Sequence, residues 1–287
     1  MRALLRKTMY FLWRLRATFY LDFPFPCRLP FGSWYLAYGD GMGFMFFFRR
    51  PYEEKEWKFV QKFLKPKMTF FDVGANQGFY TLLAAKKVQK EGMVFSFEPV
   101  PSQMKKLRKN IKINGFGNVK IEGLALGSES GFAALHISLN GDEAMSSLRE
   151  PYMDASSKRE AIQVPVLTLD EYVLKNKIQS VDFIKVDVEG GELGVLQGAI
   201  NIIKNYRPIF MCEVQDIRTQ QWGYSSKEIC RFLESYSYKW FQVLQNGLIG
   251  RFQVSKAKDE KGQNLIAIPE EKVSLVSSFL EKQNNEQ

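Results

Sequence analysis

The sequence predicts an α/β domain with a mostly parallel, doubly wound sheet and flanking helices. Short apolar segments with strand character alternate with segments of helical periodicity from residue 69 almost to the end of the chain. A glycine-containing turn follows the first of these strands, where such sheets bind ligands. The 287 residues are 45% hydrophobic and 25% charged, which is typical of a globular protein with a sizeable core.

The alternation of apolar and helical segments predicts the strands and helices of the main domain. The predicted strands are 69–73, 93–97, 119–121, 133–137, 162–166, 181–186, 208–214, 239–244 and 265–268. The predicted helices are 78–88, 102–114, 192–203 and 226–236. A polar loop separates the strands 133–137 and 162–166. Helices between successive strands favour parallel pairing over much of the sheet.

Three segments divide the chain. Residues 1–30 comprise a basic amphipathic helix over 1–21 and a linker marked by Pro24, Pro26 and Pro30. Residues 31–66 form an N-terminal extension, with hairpin character over 34–48 and helical spacing over 53–64. Residues 67–287 form the main domain.

The basic charge is concentrated at the N-terminus. The chain carries a net charge of +9, and residues 1–30 hold six basic side chains against Asp22 alone. The rest of the chain is nearly balanced, so no nucleic-acid partner is expected. An apolar stripe beside the arginines of residues 1–21 suits an anionic membrane surface, or packing on the domain or on a second subunit. Arg14 and Arg16 interrupt any secretory signal, and a cytoplasmic location, peripheral at the membrane, is predicted.

Cysteine and histidine are too sparse for several kinds of site. Cys27, Cys212 and Cys230 are far apart, which argues against a disulfide framework and favours a reducing compartment. His136 is the only histidine, which leaves almost no material for a histidine-based zinc site or a catalytic triad. We expect His136 to pack or to lie at the surface rather than to act as a base.

The most informative motif is the turn after the first predicted strand, residues 72–78. Gly74 and Gly78 allow a tight turn and a close approach of a ligand to the backbone. Ala75 and Asn76 break the glycine spacing that a dinucleotide prefers. An amino-acid end of a ligand suits the turn better, with Asp72 beside its ammonium and the helix N-terminus beside its carboxylate. The alternative is an ordinary tight turn between a strand and a helix.

Two further features complete a nucleoside site. Glu98 ends the next strand, where its carboxylate can accept hydrogen bonds from two ribose hydroxyls. Ala125 and Leu126 follow the third strand and offer an apolar slot for adenine. The alternative for Glu98 is a solvated acid at the end of a strand. The features are more informative together than singly, because they follow successive strands in the order that such a ligand requires.

The combined motifs resemble the FkbM family of methyltransferases. The resemblance spans roughly residues 38–268, including Tyr52 and Glu53, and its specific part is the string from Ile184 to Glu192. It implies a Rossmann-like class I methyltransferase fold and S-adenosylmethionine as the cofactor. It also implies O-methylation of a hydroxyl on a sugar, a glycolipid or another small metabolite, without identifying the acceptor.

Carboxylates at the ends of two later strands are the candidates for chemistry on the acceptor. A positioned base can remove the hydroxyl proton during methyl transfer, and Asp187 is the first candidate, followed by Glu189. The side chains predicted to contact the acceptor are Lys185, Glu192, Glu213 and Ser147, with Ser146 beside it. The alternatives are that Asp187 caps a helix and that Glu192 is a helix N-terminal residue. These oxygens are compatible with a divalent metal, but no spacing indicates one.

Two other classes of function compete with methyl transfer. A Rossmann oxidoreductase with a nicotinamide cofactor shares the general fold, although the glycine spacing argues against it. A non-catalytic module that binds S-adenosylmethionine also fits the fold, because fold alone does not determine function. The presence of both Glu98 and Asp187 argues against such a degenerate module.

Overall fold

The computed structural model describes most of the main domain and part of the N-terminal extension. The described residues are Phe11, 23–29, 31–36, 41–47, 51–138, 146–149, 159–254 and 263–281. Apart from Phe11, the predicted amphipathic helix over 1–21 lies outside the described residues. Most of the predicted polar loop after residue 138 also lies outside them.

The described strands and helices are as follows. The strands are β1 (Phe23–Leu29), β2 (Gly32–Leu36), β3 (Thr69–Val73), β4 (Met93–Phe97), β5 (Val119–Glu122), β6 (Ala125–Leu126), β7 (Gly131–Ser138), β8 (Arg159–Leu167), β9 (Phe183–Val186), β10 (Ile209–Val214), β11 (Tyr238–Val243), β12 (Ile249–Arg251) and β13 (Gln263–Pro269). The helices are α1 (Gly41–Phe47), α2 (Glu54–Phe63), α3 (Phe79–Val88), α4 (Pro101–Asn114), α5 (Leu169–Lys175), α6 (Glu192–Gln197), α7 (Ile200–Asn205), α8 (Asp216–Thr219) and α9 (Lys227–Glu234). Short 3-10 helices include Gln220–Trp222, Gln245–Gly247 and Glu270–Phe279.

The central sheet confirms the predicted fold class. Its strand order is β12-β11-β13-β10-β9-β3-β4-β5. The pairs from β10 to β5 are parallel, whereas the pairs at the β12 end are antiparallel. Phe70 and Phe71, adjacent in β3, belong to apolar clusters on opposite faces of the sheet. Both faces are therefore covered, as a doubly wound sheet requires.

A small second sheet adjoins the main one. Its order is β6-β8-β7, with β7 and β8 antiparallel and β6 parallel to β8. The predicted strands 133–137 and 162–166 are therefore the core of a longer hairpin. His136 is partly buried in β7, and its backbone N–H donates to the Ser147 carbonyl at 2.9 Å. This pairing holds Ser147 beside the main sheet.

Two predictions about the N-terminal segments are wrong. Residues 23–29, predicted as a linker, form an antiparallel pair with Gly32–Leu36, because an edge strand tolerates prolines that a central strand excludes. Residues 41–47, predicted as part of a hairpin, form helix α1. Met42 and Phe46, one turn apart, both pack inward, and Phe46 stacks on Phe79 with ring centres 5.4 Å apart. An apolar run of this length fits a strand or a helix equally well from sequence.

The predicted helix over 192–203 is divided at Gly198. A Cβ at this position would lie 2.1 Å from the Gly127 carbonyl oxygen, so only glycine permits the close contact between the two loops. The backbone N–H groups of Asn201 and Ile202 then donate to the Asp170 carboxylate at 2.8 and 2.9 Å. This cap starts α7 as a separate helix.

Within the described ranges, no helix has both the length and the apolar character needed to span a membrane.

Candidate active site

A cavity of about 250 Å³ lies at the carboxyl ends of the parallel strands. The turns after β3, β4, β9 and β10 contribute to its wall, together with the segment before α2 and the small sheet. Twelve of the fourteen site residues predicted from the sequence line this cavity. The predicted residues that line the cavity are Asp72, Gly74, Ala75, Asn76, Glu98, Ala125, Leu126, Ser147, Lys185, Asp187, Glu189 and Glu213. Gly78 and Glu192 are not among the lining residues.

The turn after β3 depends on two glycines with positive φ. Gly74 has φ 78°, and a Cβ there would lie 1.8 Å from the Asp187 carbonyl oxygen. Gly78 has φ 93°, and its Cβ would lie 2.3 Å from Cδ1 of Leu107. Gly74 therefore lets β3 and β9 approach each other at the cavity. Gly78 lets helix α3 start against α4, so its contribution to the site is indirect.

Asp72 carries an unused hydrogen-bond acceptor at the cavity wall. Its Oδ2 accepts from the Thr81 hydroxyl at 2.6 Å. Its Oδ1 is buried and has no hydrogen-bond partner among the described residues. Burial raises the pKa of Asp72, although nearby Lys185 lowers it. An unpartnered buried carboxylate oxygen is costly, so this atom is suited to a cationic donor such as an ammonium group.

Glu98 joins two turns of the cavity wall. Its Oε2 accepts from the Asn76 backbone N–H at 2.7 Å, and its Oε1 accepts from the Val100 N–H at 2.8 Å. Each carboxylate oxygen keeps a second lone pair, so hydrogen bonds to ribose hydroxyls remain compatible with these contacts. Burial raises the pKa of Glu98 to about 7. The backbone contacts were not foreseen, whereas the ribose contact stays a prediction.

The predicted apolar slot lies beside Glu98. Ala125 and Leu126 form β6, and both side chains are buried. Leu124 and Phe97 also line the cavity. An apolar wall next to a carboxylate is suited to the base and the sugar of a nucleoside.

A buried ion pair lies at the carboxyl end of β9. Lys185 Nζ is 2.7 Å from Asp187 Oδ2, and the Lys185 side chain is only 4% exposed. Burial lowers the pKa of Lys185, but the negative charges of Asp187, Asp72 and Glu53 outweigh it, so that its pKa is raised. Lys185 therefore stays charged and holds the Asp187 carboxylate in place. Asp187 remains 24% exposed towards the cavity.

Glu53 and Tyr80 form a contact that sequence analysis did not identify. The Tyr80 hydroxyl donates to Glu53 Oε2 at 2.6 Å, and Lys185 Nζ lies 5.1 Å from the centre of the Tyr80 ring. Burial raises the pKa of Glu53, although nearby Lys185 lowers it. Glu53 comes from the segment before α2, far from the motifs in sequence. The only indication in the sequence that Glu53 belongs to the site was that the family resemblance includes Tyr52 and Glu53.

Glu189 lies in a strained turn that three other elements support. Its φ is 57°, and its carboxylate is 3.0 Å from Nε of Arg218. Its carbonyl accepts from the Ser147 hydroxyl at 3.1 Å and from the Trp222 indole N–H at 3.3 Å. Burial, then the negative charge of Asp187, raise the pKa of Glu189 to about 8. Arg218 and Trp222 were not identified from sequence.

Glu192 does not occupy the position expected of an acceptor contact. Its Oε1 accepts from the Val188 N–H at 2.9 Å and from the Gly190 N–H at 3.2 Å. Its side chain is 1% exposed. The carboxylate folds back onto the turn that precedes α6, which agrees with the alternative of a helix N-terminal residue. Glu192 therefore shapes the turn that carries Glu189.

Glu213 ends β10 and lines the cavity as predicted. Burial raises its pKa well above the ordinary value, and the negative charge of Asp187 raises it further. These carboxylates do not form a metal centre in the part of the chain that is described, since no three histidine, cysteine, aspartate or glutamate residues there are placed to hold an ion.

This sheet order, with a glycine turn after β3 and an acid after β4, defines the Rossmann-like class I methyltransferase fold. The chain belongs to the FkbM methyltransferase family. Residues 72–240, more than half of the chain, match the family model described as "Methyltransferase FkbM domain". The match confirms the resemblance and includes every predicted site residue, whereas Glu53 precedes it. A nicotinamide oxidoreductase is therefore not supported.

Two curated relatives carry methyltransferase names. "Methyltransferase 1" of Beauveria bassiana (strain ARSEF 2860) is 25% identical over 141 residues, which cover 44% of this chain and 56% of that protein. The hexuronic acid methyltransferase AglP of Haloferax volcanii is 29% identical over 138 residues, which cover 47% of this chain and 51% of that protein. The chain thus spans about half the length of these relatives.

Solved structures of methyltransferases are also similar to the chain. Methyltransferase FkbM from Methylobacillus flagellatus KT is 18% identical with a TM-score of 0.43, covering 70% of this chain and 43% of that chain. A SAM-dependent O-methyltransferase from Thermotoga maritima is 12% identical with a TM-score of 0.41, covering 83% and 74% of the two chains.

Proposed function

We propose that this protein is an S-adenosylmethionine-dependent O-methyltransferase that acts on a sugar or another small hydroxylated acceptor. Family membership supports methyl transfer. The observation that carries the cofactor is the unpartnered Oδ1 of Asp72 beside the Gly74 turn. The name of the relative from Haloferax volcanii supports a sugar as the acceptor.

The residues of the cavity fit S-adenosylmethionine. Gly74 lines the cavity, and the lack of a Cβ there lets the Asp187 carbonyl lie close to this turn. Asp72 is suited to the ammonium group, Glu98 to the ribose hydroxyls, and Leu126 to the adenine. When bound, the cofactor supplies a methyl group on a positively charged sulfur.

The carboxyl end of β9 provides the groups for the acceptor. A hydroxyl oxygen must be held about 3 Å from the methyl group and in line with the bond that breaks. Asp187 lines the cavity and can accept the hydroxyl proton, while Lys185 fixes its orientation. Glu189 is the second candidate for this role, because its carboxylate also lines the cavity but is paired with Arg218.

Product analysis tests the proposed function directly. The protein is incubated with trideuteromethyl-labelled S-adenosylmethionine and a panel of free sugars, glycosides and glycolipids, and the products are examined by mass spectrometry. A deuterated methyl ether that depends on the protein is the expected result. Binding of the cofactor without methylation of any hydroxylated acceptor would instead favour a non-catalytic module.

Replacing Glu98 with glutamine is expected to weaken S-adenosylmethionine binding by roughly 1.5–3 kcal/mol, the range for hydrogen bonds to a charged group. The amide keeps the shape but offers one acceptor oxygen where the carboxylate offers two. Isothermal titration calorimetry measures the change, with Glu91→Gln as the control because Glu91 is 69% exposed and pairs with Lys67. An affinity equal to that of the control would remove Glu98 from the cofactor site.

A further inference from the structure

Among the described residues, the acceptor end of the cavity carries more negative side chains than positive ones. We use the name acidic rim for its four carboxylates, which are Glu53, Asp187, Glu189 and Glu213. Lys185 pairs with Asp187 at 2.7 Å, and Arg218 pairs with Glu189 at 3.0 Å. Within the described part of the chain, these ion pairs involve Asp187 and Glu189, and the other two carboxylates of the rim have no paired cation.

The two remaining carboxylates differ in their surroundings. Glu53 accepts a hydrogen bond from the Tyr80 hydroxyl at 2.6 Å, which is a neutral partner. The Glu213 carboxylate has no ion pair or hydrogen bond to another described side chain, although it is partly buried. Carboxylates that are crowded and partly desolvated in this way favour protonation unless a positive charge is close by.

A separate observation indicates a hydrogen-bond acceptor suited to a cationic group next to the acidic rim. The unpartnered Oδ1 of Asp72 lines the same cavity, and the Asp72 side chain is only 1% exposed. Asp72 lies opposite Lys185 in the register between β3 and β9. Next to this pair, towards the carboxyl ends of the two strands, the Asp187 backbone N–H donates to the Val73 carbonyl at 3.1 Å. The cofactor residues and the acidic rim therefore adjoin across two neighbouring strands.

We propose that the acidic rim stores the proton released by the acceptor, and that the positive charge on the sulfur of the bound cofactor controls whether the rim is protonated. This inference rests on the proposed function and extends it. The rim is ionised while S-adenosylmethionine is bound, and it holds a proton when the uncharged product S-adenosylhomocysteine occupies the cavity.

Charge and atoms balance in this scheme. The acceptor oxygen forms a bond to the methyl carbon as the carbon–sulfur bond breaks, and the electron pair of that bond goes to sulfur. The sulfur loses its positive charge at the same moment. The acceptor hydroxyl gives its proton to Asp187, and the proton is shared among the rim carboxylates. The net charge of the cavity is the same before and after the transfer.

The electrostatic environment supports this role. Burial raises the pKa of Glu189 to about 8, and burial also raises the pKa of Glu53 and of Glu213. Glu189 therefore favours the protonated form near neutral pH unless a cation is added, and an added cation lowers the pKa of a nearby carboxylate and releases protons. Among the described residues, the other charged or titratable groups near the rim include Tyr52, Asp72, Tyr80, Glu98, Arg149, Lys185, Glu192, Cys212, Arg218 and Tyr224.

The test counts the protons exchanged when each ligand binds. Calorimetric titrations with S-adenosylmethionine and S-adenosylhomocysteine are repeated in buffers of different ionisation enthalpy. A pH of about 6.5 keeps the α-amino group of both ligands protonated, because its ordinary pKa is about 8. S-adenosylmethionine is expected to release more protons than S-adenosylhomocysteine, by up to one proton. An analogue with an ammonium group in place of the methylsulfonium should behave like S-adenosylmethionine.

The same difference appears as a pH dependence of affinity. For each additional proton released, the ratio of the two affinities rises by about tenfold per pH unit, in favour of S-adenosylmethionine. For Glu189, this rise occurs between the ordinary carboxylate pKa and its raised value, and it ends above about pH 8.

Two variants assign the effect to the rim. Glu213→Gln removes a rim carboxylate and is expected to reduce the excess proton release, whereas the exposed control Glu91→Gln leaves it unchanged. Equal proton numbers for the two ligands, or no effect of Glu213→Gln, would overturn the proposal while leaving the methyltransferase activity intact. Failure of both ligands to bind would contradict the proposed function itself and this inference with it.

Discussion

Gly74→Ala is expected to destabilise the protein by several kcal/mol and to abolish detectable binding of S-adenosylmethionine. The positive φ of 78° alone costs an L-residue about 1–2 kcal/mol. The new methyl group would also lie 1.8 Å from the Asp187 carbonyl oxygen, so β3 and β9 would have to separate. Separation displaces Asp72 and Asp187 together. Urea denaturation measures the loss of stability, and calorimetry measures the loss of affinity.

Gly115→Ala is the matched control for this change. Gly115 has a similar φ of 67°, but a Cβ there meets no atom within 4 Å. Only the conformational cost remains, about 1–2 kcal/mol, and cofactor affinity should be unchanged. Equal destabilisation by both variants, or normal affinity in Gly74→Ala, would show that the contact between β3 and β9 does not shape the cavity.

The main sheet was predictable because its strands have a strong local signal. The segments now seen as Thr69–Val73 and Met93–Phe97 are short apolar runs that end at polar or turn residues. A strand covered on both faces gives this pattern, and the intervening helices indicate parallel neighbours. The antiparallel strands at the β12 end lack that regular alternation, and β12 was not predicted at all.

The N-terminal extension was harder to predict because long-range packing determines its structure. The apolar run over 41–47 gives no clear choice between a strand and a helix. It becomes a helix that places Phe46 against Trp34 and Phe79, with ring centres 4.8 and 5.4 Å away. Neither partner is close to Phe46 in sequence, so no local pattern shows these contacts.

The site also combines residues with a local sequence signal and residues that only long-range packing brings together. Asp72, Glu98 and Asp187 lie at the carboxyl ends of parallel strands, and these ends meet at one edge of a sheet. Their convergence was therefore predictable. Glu53 precedes these strands in the sequence and Arg218 follows them. Only the folded chain places Glu53 beside Tyr80 and Arg218 beside Glu189.

Asp187→Asn is expected to lower turnover by about 10²–10⁴-fold, the typical contribution of a general base. Cofactor affinity should be nearly unchanged, because Asp187 is proposed to act on the acceptor and not on the cofactor. The amide oxygen can still accept a hydrogen bond from Lys185, whose charge remains near Asp72 and Glu53. Steady-state kinetics with saturating cofactor gives kcat, and calorimetry gives the affinity.

Glu189→Gln separates the two candidate bases. Its carboxylate is paired with Arg218, so removing the charge should alter KM more than kcat if Asp187 is the base. Asp187→Asn leaves the buried Lys185 without its charged partner, and an unpaired buried charge can cost about 3–5 kcal/mol of stability. Thermal denaturation of Asp187→Asn and Glu189→Gln therefore checks that both variants are folded. A folded Asp187→Asn variant with full turnover at saturation, or a larger loss of kcat in Glu189→Gln, would transfer the role of base away from Asp187.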